Sequence, residues 1–218
     1  MRLAVDQLEG RALWWAFRVA EPGIMETPRR LHGDLLGAWN TIGSIIGEKQ
    51  IELLVKDSSI PLWTASMSFD GNRFDVDDPN PIHAAVRCHL WHSTGSDPRT
   101  LTPGQLEQAF RSTLDTAAFP LDHSLRAGHP FGWDAAGPVL DRDLIQLRIA
   151  DSSVPKWVCD ISHEGETCQA EGLDPIEAII RCHLRRLHGD TLDVPDEILH
   201  LAPPDGPRAP GRRPLPRL

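Results

Sequence analysis

An aspartate followed by two serines stands at Asp57, Ser58 and Ser59, and again at Asp151, Ser152 and Ser153. Each trio is trailed by proline and tryptophan, in KDSSIPLW and ADSSVPKW. An acid beside a hydroxyl is raw material for hydrolysis, with serine as nucleophile and a histidine as its base. That chemistry also needs an oxyanion pocket, and no nucleophile-elbow pattern surrounds either trio. Asp and Ser side chains also bond nearby backbone N–H groups to hold turns, and this is the favoured reading of Asp57 and Asp151. No residue is assigned a catalytic role. A hydrolase of a nucleotide-like substrate, using Asp57 or Asp151 with a histidine, is kept as the alternative.

Other reactive groups recur. Cys88, His89 and His92 have Cys182, His183 and His188 as rough counterparts. Cys88 and His92 are one helical turn apart, as two zinc ligands can be, but the residues matching them are Cys182 and Arg186, and no CxxC pair completes a set of four. No metal is expected, and His89 and His183 read as core histidines that need hydrogen-bond partners. Arg87 and Arg181 lie off the apolar stripe. They either pair at the surface, pin the neighbouring copy, or clamp an anionic ligand or a partner's carboxylates. Trp39 and Trp133, each followed by a glycine, either plug a domain edge or close over a planar ligand. The ligand-binding candidates are therefore Trp39, Trp133, Arg87, Arg181, Asp57 and Asp151, with no cofactor expected.

These residues are positioned by a repeat. At a constant offset of 94 residues, Trp39 matches Trp133, Gly43 matches Gly137, and PIHAAVRCHL matches PIEAIIRCHL. Roughly a third of the positions from 31 to 90 are identical to their counterparts, the signature of a tandem duplication. Ile51, Leu53 and Val55 alternate as in a half-buried strand, as do Ile145, Leu147 and Ile149. A second strand follows, with Trp63, Ala65, Met67 and Phe69 inward, answered by Trp157, Cys159, Ile161 and His163. Asp70-Gly71 and Glu164-Gly165 supply hairpin turns, placing Met67 across from Phe74 and Ile161 across from Cys168. Asn80-Pro81 and Asp174-Pro175 then cap a helix whose buried stripe is Ile82, Ala85, Val86, His89 and Leu90, repeated as Ile176, Ile179, Ile180, His183, Leu184 and Leu187. An amphipathic segment ahead of each copy, LEGRALWWAFRVA and PGQLEQAFRSTLD, predicts a further helix.

The fold class is α+β: two tandem homologous modules related by a pseudo-twofold, each a helix, a Trp/Gly loop, a three-stranded antiparallel meander and a helix. Repeat 1 covers residues 1–100 and repeat 2 covers 101–202. Residues 203–218, PPDGPRAPGRRPLPRL, form a Pro/Arg-rich tail that cannot build a core and reads as disordered.

Three stretches, VDQLEGRALWWAFRVAE, the paired WNTIGSIIGEKQI and WDAAGPVLDRDLI, and LDPIEAIIRCHLRRLHGDTLDVPDEIL, together resemble the NinX-like family of small phage and prophage proteins. The resemblance implies a phage accessory protein and brings no established site residues. It also implies an aromatic residue after the helical cysteine, where this chain has His89 and His183.

Composition narrows the partners. The 218 residues are 40% hydrophobic, with four cysteines and a formal net charge of −9. The tail's four arginines offset part of that charge, so the rest is more acidic still, a poor footprint for holding nucleic-acid phosphates. No apolar run long enough to span a membrane is present and no signal peptide opens the chain, so the host cytosol and reduced thiols are expected. The expected function is non-enzymatic: binding a host defence component, or sequestering a small anionic, nucleotide-like signal molecule. A purely structural interaction module is a further alternative. The oligomeric state is not specified by the sequence.

Overall fold

A computed structural model describes residues 1–23, 39–57, 59–113, 132–151, 156–163 and 166–200. In chain order these form β1 (Arg2–Ala4), α1 (Gly10–Ala20), α2 (Trp39–Lys49), β2 (Glu52–Asp57), β3 (Leu62–Phe69), β4 (Asn72–Asp78), α3 (Pro81–Thr94), α4 (Pro103–Thr113), α5 (Trp133–Asp143), β5 (Gln146–Asp151), β6 (Lys156–His163), β7 (Glu166–Gly172), α6 (Pro175–His188), β8 (Thr191–Asp193) and α7 (Asp196–His200). The fold is mixed helix and strand. The Pro/Arg-rich tail, Ser58, Ser152, Ser153 and the Glu164-Gly165 turn lie outside the described residues.

The two meanders join into one six-stranded sheet in the order β4-β3-β2-β5-β6-β7, so the order reads alike from both edges. At its centre β2 runs antiparallel to β5 with Leu53 opposite Leu147, residues that are themselves 94 apart. Met67 faces Phe74 and Ile161 faces Cys168, as the hairpin turns predict. The register of β2 on β3 slips between Val55 and Asp57, and that of β5 on β6 slips between the matching Ile149 and Asp151. A bulge thus leads into each Asp-Ser-Ser segment. At the β3–β4 turn Asp70 and Gly71 both have positive φ, 49° and 76°, as a tight two-residue hairpin demands.

The segments expected as Trp/Gly loops are instead helices α2 and α5. Trp39, Ile42, Gly43 and Ile46 fall on one helical stripe and are buried, as are Trp133, Ala136, Gly137 and Leu140. Their glycines therefore serve close packing, not flexibility. Both helices end on a non-glycine residue in the left-handed region, Gln50 (φ 54°) and Leu144 (φ 53°). Each stop is fixed by a bond from the next N–H back to a helical carbonyl, Ile51 to Ile46 at 3.0 Å and Ile145 to Leu140 at 2.9 Å.

Helices α3 and α6 start as the sequence predicts, with the Asn80 and Asp174 side chains each accepting two backbone N–H bonds ahead of Pro81 and Pro175. Both lie on one face of the sheet, and each has a second helix on its far side. That outer helix is α4 for α3, but for α6 it is α1, from the other end of the chain. The chain start is held there by β1 pairing with β8 and by the amino terminus donating to the Val194 carbonyl at 2.8 Å.

Covering α3 and α6 on two sides widens their buried surface. The predicted stripes are buried, but so are Ala84, Arg87 and Cys88, and Ala178, Arg181 and Cys182. Two expected core residues sit outside: Phe69 is 59% exposed at the hairpin end, and Leu187 is 45% exposed in the last turn of α6, where the sheet no longer lies beneath it.

Candidate functional site

Trp39 and Trp133 meet each other. Their rings stack with centroids 6.1 Å apart and planes 7° from parallel, where α2 packs on α5. A Cβ built on Gly43 would stand 2.0 Å from the Trp133 ring, and one on Gly137 would stand 2.2 Å from Trp39. Each indole therefore occupies the gap left by the other half's glycine. Both are buried, and neither ring has a face open for a planar ligand.

Arg87 and Arg181 are buried too, and they share no partner. Arg87 donates to the Asp78 carboxylate at 3.0 Å and to the Pro98 and Leu101 carbonyls at 2.5 and 3.0 Å. Arg181 donates to the Leu8 carbonyl at 2.8 Å, to the Glu171 carbonyl at 2.9 Å, and pairs with Glu177 at 2.7 Å. Leu101 and Leu8 precede the outer helices α4 and α1, so each arginine pins the chain entering the helix that covers it. The compensating acid differs in origin: strand residue Asp78 in one half, helix residue Glu177 in the other.

Asp57 holds a turn. Its carboxylate accepts from the Ser59 backbone at 2.8 Å and the Ser59 hydroxyl at 2.7 Å, and these bonds hold it below the usual carboxylate range. The Asp151 side chain lies outside the described residues. Among the candidates whose side chains are described, then, the structure brings together only the two tryptophans.

Sequence reasoning passed over a charge cluster around His183. This ring is wholly buried, with Nδ1 at 2.7 Å from the Asp143 carboxylate. Nε2 stands 3.1 Å from Glu21 but off the line of a hydrogen bond. Arg186 reaches Asp143 at 3.0 Å, and Arg142 bridges Glu21 and Asp143 at 2.6 and 2.9 Å. Burial alone would raise Asp143, but hydrogen bonds from His183 and Arg142 and the charge of Arg186 hold it far below the carboxylate range. The Arg142 hydrogen bond likewise lowers Glu21. A His–Asp pair can move protons, yet this imidazole has no exposed edge for a substrate.

The matching histidine has the opposite surroundings. Where His183 faces Asp143 and Arg142, the residues 94 earlier are Lys49 and Glu48. Burial, helped by the Lys49 charge, pushes His89 down to about 4, and its Nδ1 has no partner among the described residues. Cys88 donates to the Phe74 carbonyl and His92 packs edge-on against Phe69 and Phe74, so neither is turned to metal binding. Among the described residues no cluster of three or more His, Cys, Asp and Glu could hold a metal ion.

What stays open is the other face of the sheet. No described element covers it, and its outward rows are mostly polar, with Leu54 and Val158 among them. Lys56 pairs with Asp77 at 2.6 Å, Arg73 with Asp75 at 2.8 Å and Arg148 with Asp160 at 2.6 Å, and Lys156 pairs with Glu171. A shallow depression of about 600 Å³ lies over one half, with Lys56, Thr64, Arg73, Asp75, Asp77 and Arg99 among its lining. Its signal was legible in the alternation of β3, where Ser66 and Ser68 face away from Trp63 and Ala65. Among the described residues no helix is long and apolar enough to cross a membrane. Compared with protein-family models, curated proteins and solved structures, the chain matches none.

Proposed function

We propose that this chain is a non-enzymatic accessory protein of NinX-like, phage or prophage type, which binds a host protein through the uncovered face of its six-stranded sheet. One observation carries the reading. The side chains repeated in both halves are consumed by folding: the tryptophans on each other, the arginines on main-chain carbonyls, Asp57 in its turn. The broad polar face has no such internal duty beyond its own ion pairs. Apart from Arg148–Asp160, whose acid is buried, these pairs are exposed and contribute about 0 to 1 kcal/mol each, so they are free to be exchanged for a partner's charges.

Two copies of one module, fused after a duplication and related by a pseudo-twofold, account for the sheet. The identical registers and bulges at an offset of 94, with Leu53 against Leu147 at the centre, support that origin. A second reading, a small anionic ligand, draws on Lys56, Arg73 and Arg99 around the depression, which would exchange Asp77, Asp75 and Asp97 for the ligand's charge. A hydrolase is less favoured, because the Asp57 carboxylate is already engaged by Ser59.

The test compares the full chain with an Asp75→Arg, Asp77→Arg, Arg148→Glu variant whose folding is checked by circular dichroism. Both are used to capture host proteins, with cross-links from Lys56 and Lys156 mapped by mass spectrometry. The reading requires one partner that cross-links to these lysines and is lost with the variant. A partner retained by the variant overturns it. A nucleotide-like molecule retained in native mass spectra, without a protein, replaces it with the second reading.

A further inference from the structure

Of the four cysteines, two meet across an element boundary. Strand β7 presents Cys168 and helix α6 presents Cys182, so that each sulfur lies 3.7 Å from the other residue's carbonyl oxygen. Cys168 is partly exposed and Cys182 is buried. The neighbouring Cys182 side chain lowers Cys168 from its ordinary value against the cost of burial, and the nearby Arg185 charge adds to this. The same contact, together with burial, pushes Cys182 up. An accessible thiol with raised thiolate character beside a protected one is the arrangement of an attacking and a resolving cysteine.

The first half contains the control. Its matching positions are Phe74 and Cys88, where the Cys88 thiol donates to the Phe74 carbonyl at 3.4 Å. Burial pushes that thiol up to about 12, and phenylalanine stands where the second half has Cys168. Cys159 is wholly buried on the sheet.

We infer that Cys168 and Cys182 form a reversible dithiol site, which accepts oxidation by a small-molecule disulfide and closes a covalent tie between β7 and α6. The Cys168 thiolate attacks one sulfur of the disulfide RSSR, forming a mixed disulfide and releasing RS⁻. The Cys182 sulfur then attacks the Cys168 sulfur, breaks the mixed disulfide and releases the second RS⁻. The two protons given up by the protein thiols leave with the two products as RSH, so the dithiol is oxidised and RSSR is reduced. Each sulfur already lies against the other residue's main chain, so the second step asks the two side chains only to turn toward each other.

The experiment incubates the reduced full chain with glutathione disulfide, traps free thiols with N-ethylmaleimide, and reads intact mass and peptide map. The expected product has lost two hydrogens and yields one cross-linked peptide joining Cys168 to Cys182, reversed by dithiothreitol. Cys88 and Cys159 stay free. Cys182→Ser should halt at a glutathione adduct on Cys168, and Cys168→Ser should abolish both adduct and cross-link. A wild-type chain that stays reduced, stops at the adduct, or links a different pair overturns the proposal. The wild-type map decides even if a variant fails to fold.

Discussion

The indole of Trp39 lies parallel to that of Trp133, and each ring rests where a side chain on the other half's glycine would have to stand. The two halves are thus locked by a reciprocal fit, ring into gap twice over, in addition to the Leu53–Leu147 pairing of the sheet.

Gly43→Ala and Gly137→Ala should each destabilise the fold, although alanine favours an isolated helix by about 1 kcal/mol over glycine. The added methyl would meet a buried ring at 2.0 or 2.2 Å, and overpacking of this kind costs about 1 to 3 kcal/mol. Urea unfolding midpoints measure it. In a Trp133→Leu background, Gly43→Ala should lose most of its effect, since the ring it strikes is gone.

Arg181→Met should loosen α1 before the rest of the molecule. It leaves the Leu8 and Glu171 carbonyls and the Glu177 carboxylate without their cation. Breaking a buried ion pair from one side costs about 3 to 5 kcal/mol. Hydrogen exchange across residues 10–20 should rise well ahead of that in β5 and β6. Arg181→Lys should restore little, because one ammonium cannot reproduce the guanidinium's spread of donors.

Replacing the two matching histidines should have different consequences. Burial lowers His89 from about 6.5 to about 4, so the folded state resists a proton that the unfolded chain accepts. Its contribution is complete above pH 6.5 and is lost as pH falls from there to about 4. His89→Phe, which keeps a ring against Phe110, should flatten that part of the stability profile. His183→Phe should instead lower stability at neutral pH, because Asp143 and Glu21 lose the group between them. Asp143 and Glu21 are held below their ordinary values, so their stabilisation persists above the carboxylate range and fails as pH drops beneath about 4.

Asp57→Ala should leave binding intact and cause only a modest drop in thermal midpoint, because its carboxylate serves the exposed turn at Ser59. Loss of partner capture with an unchanged midpoint would move Asp57 from the turn to the site.

Much of the fold was legible because local rules set it. Alternation gave the strands, Asp70-Gly71 the hairpin, Asn80-Pro81 and Asp174-Pro175 the helix starts, and the pairing of Met67 with Phe74 followed from turn length alone. The candidate site was far less legible. Trp39 and Trp133 read as edge plugs or ligand-closing rings beside flexible glycines, whereas here each glycine's missing side chain makes room for a tryptophan 90 or 98 positions away in sequence.

The sequence by itself carried the repeat, in matches 94 residues apart, and also the hairpin register and the capped helix starts, which depend on neighbours a few residues apart. Only tertiary structure decided that α1 covers α6 while α4 covers α3, and this alone turned Arg87 and Arg181 from surface residues into buried pins. The same packing brought Glu21 to His183, while Asp143 beside His183 and Lys49 beside His89 are a sequence difference between matching positions. Burial and electrostatic surroundings are properties of what packs on an element, and no period within the element records them.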